Sequence, residues 1–221
     1  YKQTMQSTTN DSLLIDALVK YSNEIVRNKP TDVIEYANSV KQKGEKQNKK
    51  NVQENAYHVL AQAYSNLRTY DSSAKYFRKA LDINQLTKDN ELRGIIKHDF
   101  GYSFYQQSIL DSSLVYYHKA LELKKQYGKP KQVATTLNGI GLVYRMRNNI
   151  TSAASYYKEA LSIYESIGDK AALSVMSNIA TLYNLQNKYD SATALFKKIY
   201  AIAYTNKDVN MMFNAQVNIA L

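Results

Sequence analysis

The sequence predicts an all-α solenoid built from antiparallel helix pairs. A forty-residue unit recurs four times, apolar residues keep helical spacing within each copy, and 221 residues include only seven Gly and two Pro. So little turn punctuation disfavours hairpins and sheets, and self-similarity at this period marks units that must stack to bury their apolar faces. The clearest copies are LAQAYSNLRTYDSSAKYFRKAL (Leu60–Leu81), FGYSFYQQSILDSSLVYYHKAL (Phe100–Leu121), IGLVYRMRNNITSAASYYKEAL (Ile140–Leu161) and IATLYNLQNKYDSATALFKKIY (Ile179–Tyr200). At 44% hydrophobic, the chain has the apolar content for a continuous core.

The elements follow in order. Asp11–Lys46 reads as a worn first pair, with Leu14, Ala17, Leu18, Tyr21 and Ile25 on its first helix and Val33, Ile34, Ala37 and Val40 on its second. A terminal repeat drifts this way where one face lacks a neighbour. In the clear copies the first helix carries a stripe such as Ile96, Phe100 and Phe104, and the second a stripe such as Leu114, Tyr117 and Leu121. Asp71, Asp111, Thr151 and Asp190 are expected to cap the second helices. Small residues recur at Ala61, Gly101, Gly141 and Ala180, at Ser73, Ser113, Ala153 and Ala192, and at Ala80, Ala120 and Ala160. Large rings answer them at Tyr64, Phe104, Tyr144 and Tyr183, and at Phe77, Tyr117, Tyr157 and Phe196. Small against large at fixed spacing is what closely packed antiparallel helices require. The spacing from Tyr144 to Tyr183 is 39, a loop change that keeps the stack.

Asn218-Ile219-Ala220 repeats Asn178-Ile179-Ala180, and opens a further unit. The expected organisation is a disordered or linker segment over residues 1–10, then one array over residues 11–221. That array comprises a degenerate pair (11–50), repeats 51–90, 91–130, 131–170 and 171–210, and a lone first helix at 211–221, about eleven helices in all. The half unit at the end, and Tyr1 in place of an initiating Met, lead us to expect a fragment or a processed form of a longer protein.

These residues resemble the tetratricopeptide repeat, in which Gly or Ala, Tyr, Ala, an aromatic and a final Ala stand at these intervals. The resemblance covers Asn51 to Asn210. The usual period is about 34; forty adds roughly one and a half turns to the pair, and the usual closing Pro is missing. The longer period is similar to arrays of bacterial signalling proteins and kinesin light chains. The resemblance implies a right-handed superhelix whose concave surface is lined by first helices. Its lining would be His58, Gln62 and Ser65, then His98, Tyr102 and Tyr105, then Asn138, Leu142 and Arg145, then Ser177, Thr181 and Asn184. Co-chaperone members hold acidic tails with a Lys and Asn pair; here His58 and Gln62 stand there, and only Arg145 adds charge later, so that role is discounted. The lining suits a protein or peptide ligand held by hydrogen bonds and apolar anchors.

Formal charge is +10, which raises nucleic acid or an anionic membrane surface as partners. The basic run Lys41–Lys50 reads as a solvated helix end, and Lys75, Arg78, Lys79, Lys119, Lys124, Lys125, Lys197 and Lys198 fall on second helices and junctions. Charge on an outer face does not make the stripe that nucleic acid requires, so no nucleic acid is expected. No segment has the ~18 apolar residues of a membrane helix. With no Cys there is no disulfide, thiolate site or Cys nucleophile. His58 and His98 occupy equivalent positions but lack a third ligand, so neither metal nor cofactor is expected. Catalysis finds no support: Gly139 and Gly141 read as close helix contacts, the Ser pairs after Asp71 and Asp111 as capping residues, and one member of each pair Tyr116-Tyr117 and Tyr156-Tyr157 as core.

The leading expectation is an interaction module, similar in style to sensor regions that precede a bacterial histidine kinase or transcription regulator. A periplasmic setting is favoured over a cytoplasmic one. The alternative is a scaffold or oligomerisation arm, pairing as a homodimer through the open carboxy-terminal repeat. A basic surface for nucleic acid or anionic lipid comes third.

Overall fold

The computed structural model describes residue 3 and residues 7–220, without the side chain of Ala220. Half of the expected linker at residues 1–10 (residues 1, 2 and 4–6), and Leu221, lie outside the described residues. Among the described residues the long elements are eleven α-helices: α1 (Asp11–Ile25), α2 (Pro30–Lys46), α3 (Lys50–Asn66), α4 (Tyr70–Thr87), α5 (Asn90–Gln106), α6 (Leu110–Tyr127), α7 (Pro130–Met146), α8 (Ile150–Ser166), α9 (Ala171–Leu185), α10 (Tyr189–Thr205) and α11 (Val209–Ala220). They form two compact units, Tyr1–Tyr116 and Tyr117–Leu221, with α6 contributing to both.

Helix length is set by a left-handed residue roughly every twenty positions. Asn48, Arg68, Lys88, Ser108, Asn148, Gly168, Asn187 and Lys207 all have φ between 53° and 64°. After α3, the amide of Arg68 donates to the Ser65 carbonyl and that of Thr69 to the Tyr64 carbonyl, both at 3.0 Å. The same pair of bonds closes α5 at Ser108 and Ile109, α7 at Asn148 and Asn149, and α9 at Asn187 and Lys188. This double bond satisfies the last carbonyls and reverses the chain.

Second helices begin two residues earlier than expected from those caps, at Tyr70, Leu110, Ile150 and Tyr189. Asp71, Asp111, Thr151 and Asp190 therefore lie inside the first turn and are not the caps. The acidic three still favour that turn through the helix dipole. Where a side chain does cap, it is Asn149, whose oxygen accepts from the Ser152 amide at 3.0 Å.

Packing within a pair follows the small-against-large rule, with more polar content than expected. The Ser73 hydroxyl donates to the Ala61 carbonyl at 2.9 Å, and that of Ser113 to the Gly101 carbonyl at 2.8 Å. The second Ser of each pair thus ties its helix to the preceding one, which corrects the capping role. In the second unit Ala153 and Gly141 occupy the corresponding places, and a Cβ on Gly141 would lie 2.5 Å from the Tyr157 ring. Both members of the tyrosine pairs are used: Tyr116 stacks on Phe104 (5.5 Å, 27°) and Tyr156 on Tyr144 (5.5 Å, 8°), while Tyr117 and Tyr157 are buried. Tyr76 on Tyr64 (5.4 Å, 10°) beside buried Phe77 repeats the arrangement.

Successive helix pairs are joined by polar pins at positions forty residues apart: Gln53 Nε2 donates to the Gly44 carbonyl at 2.9 Å, Arg93 donates to Asn84, and Lys124 Nζ donates to Thr136 Oγ1 at 3.1 Å. At the fourth position of that register the Tyr164 hydroxyl instead meets Thr135 of its own pair at 2.8 Å. Lys124 is only 4% exposed, so its place among outer-face charges is corrected: its position in the register is an inward one.

Because an L-residue at positive φ is strained where Gly is not, Arg68→Gly should raise the stability of the chain by about 0.5–1 kcal/mol. Gly168→Ala should lower it by about 1 kcal/mol, although a Cβ there meets nothing within 4 Å. Urea unfolding of the two variants, moving in opposite directions, checks the capping assignment.

Candidate functional site: the first-helix face

In the first unit the expected lining residues divide into ties and free surface. The imidazole of His58 on α3 meets Asp99 Oδ2 on α5 at 2.7 Å, and Gln62 Nε2 donates to the same oxygen at 2.8 Å. The Ser65 hydroxyl donates to Gln106 Oε1 at 2.8 Å. His58 and Ser65 are each 5% exposed. Neither offers an open surface to a ligand, because each is spent joining successive first helices. Tyr102 is 45% exposed and stacks on half-buried Tyr105, ring centroids 6.1 Å apart at 23°. His98 is half-buried nearby.

The second unit repeats the tie in the same register. Asn178 Nδ2 donates to Asn138 Oδ1 at 2.9 Å, joining α9 to α7. Allowing for the one-residue deletion, Asn138 and Asn178 stand where His58 and Asp99 stand in the first unit. Thr181 donates back to the Ser177 carbonyl at 3.0 Å, and Leu142, Arg145, Ser177 and Asn184 are half-buried. Asp99 follows His98 directly and so leaves α5 on a different side from it, and that is the side which meets His58. The contact lies one residue further, where a side chain leans toward the next helix.

A pocket of about 410 Å³ opens on the first-helix side of the first unit. It is lined by Ile15 of α1, Asn51, Glu54 and Asn55 of α3, Thr87 at the end of α4, Asp89 of the α4–α5 turn, and Glu91, Leu92 and Ile95 of α5. Ile15, Asn55 and Ile95 are forty residues apart, so three successive first helices contribute the same register position. Asn55 and Asn51 continue toward the amino end of α3 the face that holds His58. That helical spacing was the available signal, and it was passed over for the carboxy-terminal halves.

Glu54 anchors the pocket floor. Its two oxygens accept from Asn84 Nδ2 and from the Thr87 hydroxyl, the latter at 2.7 Å. Burial holds its carboxyl above the usual range, against the opposing effect of these two donors. At the rim, Asp89 Oδ1 accepts from the Leu92 amide at 2.9 Å and caps α5. Nearby on α3, burial and the Glu45 carboxylate 2.6 Å away push the Tyr57 hydroxyl up to about 12. Among the described residues no three His, Cys, Asp or Glu side chains are grouped to hold a metal ion, and no helix is long and apolar enough to cross a membrane.

Two tetratricopeptide-repeat models match the sequence, one over residues 96–166 and 132–205 and the other over residues 54–85. The chain belongs to the tetratricopeptide-repeat family. No curated protein matches it. Among solved structures it is similar to a Signal Transduction ATPase with Numerous Domains with a tetratricopeptide-repeat sensor from Pyrococcus horikoshii, at 19% identity and TM-score 0.83, covering 99% of this chain and 33% of that one. It is also similar to a Rap protein complexed with Competence and Sporulation Factor (15%, TM-score 0.74, 96% and 65% covered). A third is a putative kinesin light chain from Podosopora anserina (13%, TM-score 0.68, 90% and 99% covered). At these identities the likeness shows the fold. The chain spans a third of the first of these proteins and under two thirds of the second. As a class the repeat serves protein interaction.

Asp99→Ala should cost about 1–3 kcal/mol, since it strands the buried His58 imidazole and the Gln62 amide; a loss below 0.5 kcal/mol in urea unfolding, about what a neutral surface change gives, would discredit the tie. Glu54 makes a second prediction. Its raised native pKa means that the folded chain holds the proton more tightly than the unfolded one, whose value is near 4.5. The associated stability is complete below that pH and is lost as pH rises through the native value. Glu54→Gln should therefore gain stability relative to the parent as pH is raised from about 4 to about 7, measured by thermal melts at each pH. A difference that does not change with pH would contradict it.

Proposed function

We propose that the chain is a peptide- or protein-recognition module, without catalytic activity, that serves as the sensor region of a larger signalling protein. The observation that carries this reading is the exposed Tyr102, stacked on Tyr105 on a face where His58, Gln62 and Ser65 are already bonded to Asp99 and Gln106. Such a face is stiff before a ligand arrives, so binding loses little conformational entropy, and two rings offer apolar area with hydroxyls at the edge. The likeness to a tetratricopeptide-repeat sensor and to a Rap protein bound to a factor supports the signalling context.

A second reading is self-association through α11, which exposes Val209, Phe213 and Val217 along one face. Phe213 stands where Leu173 stands in the preceding first helix, and Leu173 is buried. One experiment separates the two readings. Dodecapeptides selected by phage display on the immobilised chain are measured by fluorescence anisotropy against the parent and two variants. Joint replacement of Tyr102 and Tyr105 with Ala should weaken binding at least about tenfold, and Phe213→Ser should leave it unchanged. Equal affinity for the tyrosine variant and the parent would refute the proposal, and sensitivity to Phe213→Ser alone would favour the carboxy-terminal face.

A further inference from the structure

We propose that the pocket walled by α1, α3 and α5 is the specificity pocket of this face and takes an arginine side chain of the bound peptide. The inference rests on the peptide-recognition reading and goes on to name what that peptide must carry. At about 410 Å³ the pocket has the size of a small-ligand site. Repeat stacking itself builds it, since Ile15, Asn55 and Ile95 are equivalent positions on three successive first helices.

Its chemistry is divided in a way that fits one kind of side chain. Ile15, Leu92 and Ile95 supply an apolar wall, while Glu54, Asp89 and Glu91 supply carboxylates and Asn51 and Asn55 supply amide oxygens. No Lys or Arg lines the pocket, although the chain carries a formal charge of +10. Arg93 is not among the lining residues, and its guanidinium is bonded to the Asn84 side chain and carbonyl. The Glu54 carboxylate is met by two uncharged donors, Asn84 and Thr87, and burial has already made its charge costly. A cation entering the pocket relieves that cost, whereas a phosphate or carboxylate ligand would be repelled. Guanidinium suits the pocket better than ammonium: its methylene stem lies along apolar surface while a planar fork of five donors reaches carboxylate and amide oxygens together.

The test is a titration of the full chain, with its isoleucine methyls labelled for NMR. The probes are Nα-acetyl-arginine amide and its uncharged isostere Nα-acetyl-citrulline amide. The expected result is saturable shifts at Ile15 and Ile95 with the arginine probe, and at least tenfold weaker binding of the citrulline probe. Glu54→Gln combined with Asp89→Asn should weaken the arginine probe by a similar factor. Absence of saturable shifts at these two residues, or equal binding of both probes by the parent chain, would overturn the proposal without recourse to any variant. Either failure leaves the effect of the Tyr102 and Tyr105 substitutions on peptide binding untouched, so loss of the pocket and loss of the face are read separately.

Discussion

A Cβ on Gly141 would lie 2.5 Å from the Tyr157 ring, and one on Gly139 2.8 Å from the Tyr117 ring. Both distances are too short for real atoms, and the close approach they record is what the remaining packing depends on. Once two antiparallel helices meet backbone to ring, the aromatic side chain has one place to go. The neighbouring positions are then fixed by helical geometry. Burying each such ring contributes about 1.5–3 kcal/mol, and a ring recurs there in each copy, facing Gly101 or Gly141 where it is Tyr and Ala61 or Ala180 where it is Phe. Ser73 and Ser113 keep that approach while adding a bond to the facing carbonyl. Ala153 and Ala192 keep it by packing alone. The repeat therefore tolerates exchange of hydroxyl for methyl but not growth of either side chain.

Stacking one first helix on the next poses a different problem, because this face carries polar groups at the positions a ligand would meet. The solution is to let half of them bond to one another. His58, Gln62 and Ser65 reach across to Asp99 and Gln106, and Asn138 to Asn178. A buried imidazole or amide left without such a partner would cost about 1–3 kcal/mol, so these ties are obligatory once the helices pack. They also define by subtraction what remains available to a partner: the Tyr102–Tyr105 pair and, toward the amino ends of the helices, the pocket floored by Glu54.

The helix pairs, their small and large packing positions and the tetratricopeptide-repeat membership were all legible in the sequence, because each is a residue-type choice repeated in register. The turns were not. Left-handed residues are usually recognised by Gly, and here only Gly168 announces one, while Arg68, Lys88, Ser108 and Lys207 adopt the same backbone unannounced. The bonds they make are main-chain bonds, which leave little trace in side-chain identity. Lys124 misled for a related reason: charge marks a solvated position on average, but this one falls at the inward register shared with Gly44, Asn84 and Tyr164. The ties across first helices are hard to read because their spacing varies: His58 and Ser65 reach partners 41 residues on, Gln62 one 37 residues on, and Asn138 one forty residues on, so no single period marks them.

Net charge is a poor guide to what this face recognises. Most of the basic residues are exposed lysines such as Lys75, Lys119 and Lys197, and beyond a Debye length of about 8 Å in physiological salt their field is largely screened. Glu54 is held away from that screening by its burial, and Asp89 and Glu91 stand with it around the same pocket. A charge in a partly desolvated pocket acts on whatever enters at short range, where the effective dielectric is low and geometry decides the energy. An approaching partner thus meets a weak positive field at a distance and carboxylates at contact. On the proposed reading, complementarity at contact sets which side chain is accepted, and it is of the opposite sign to the charge of the whole chain.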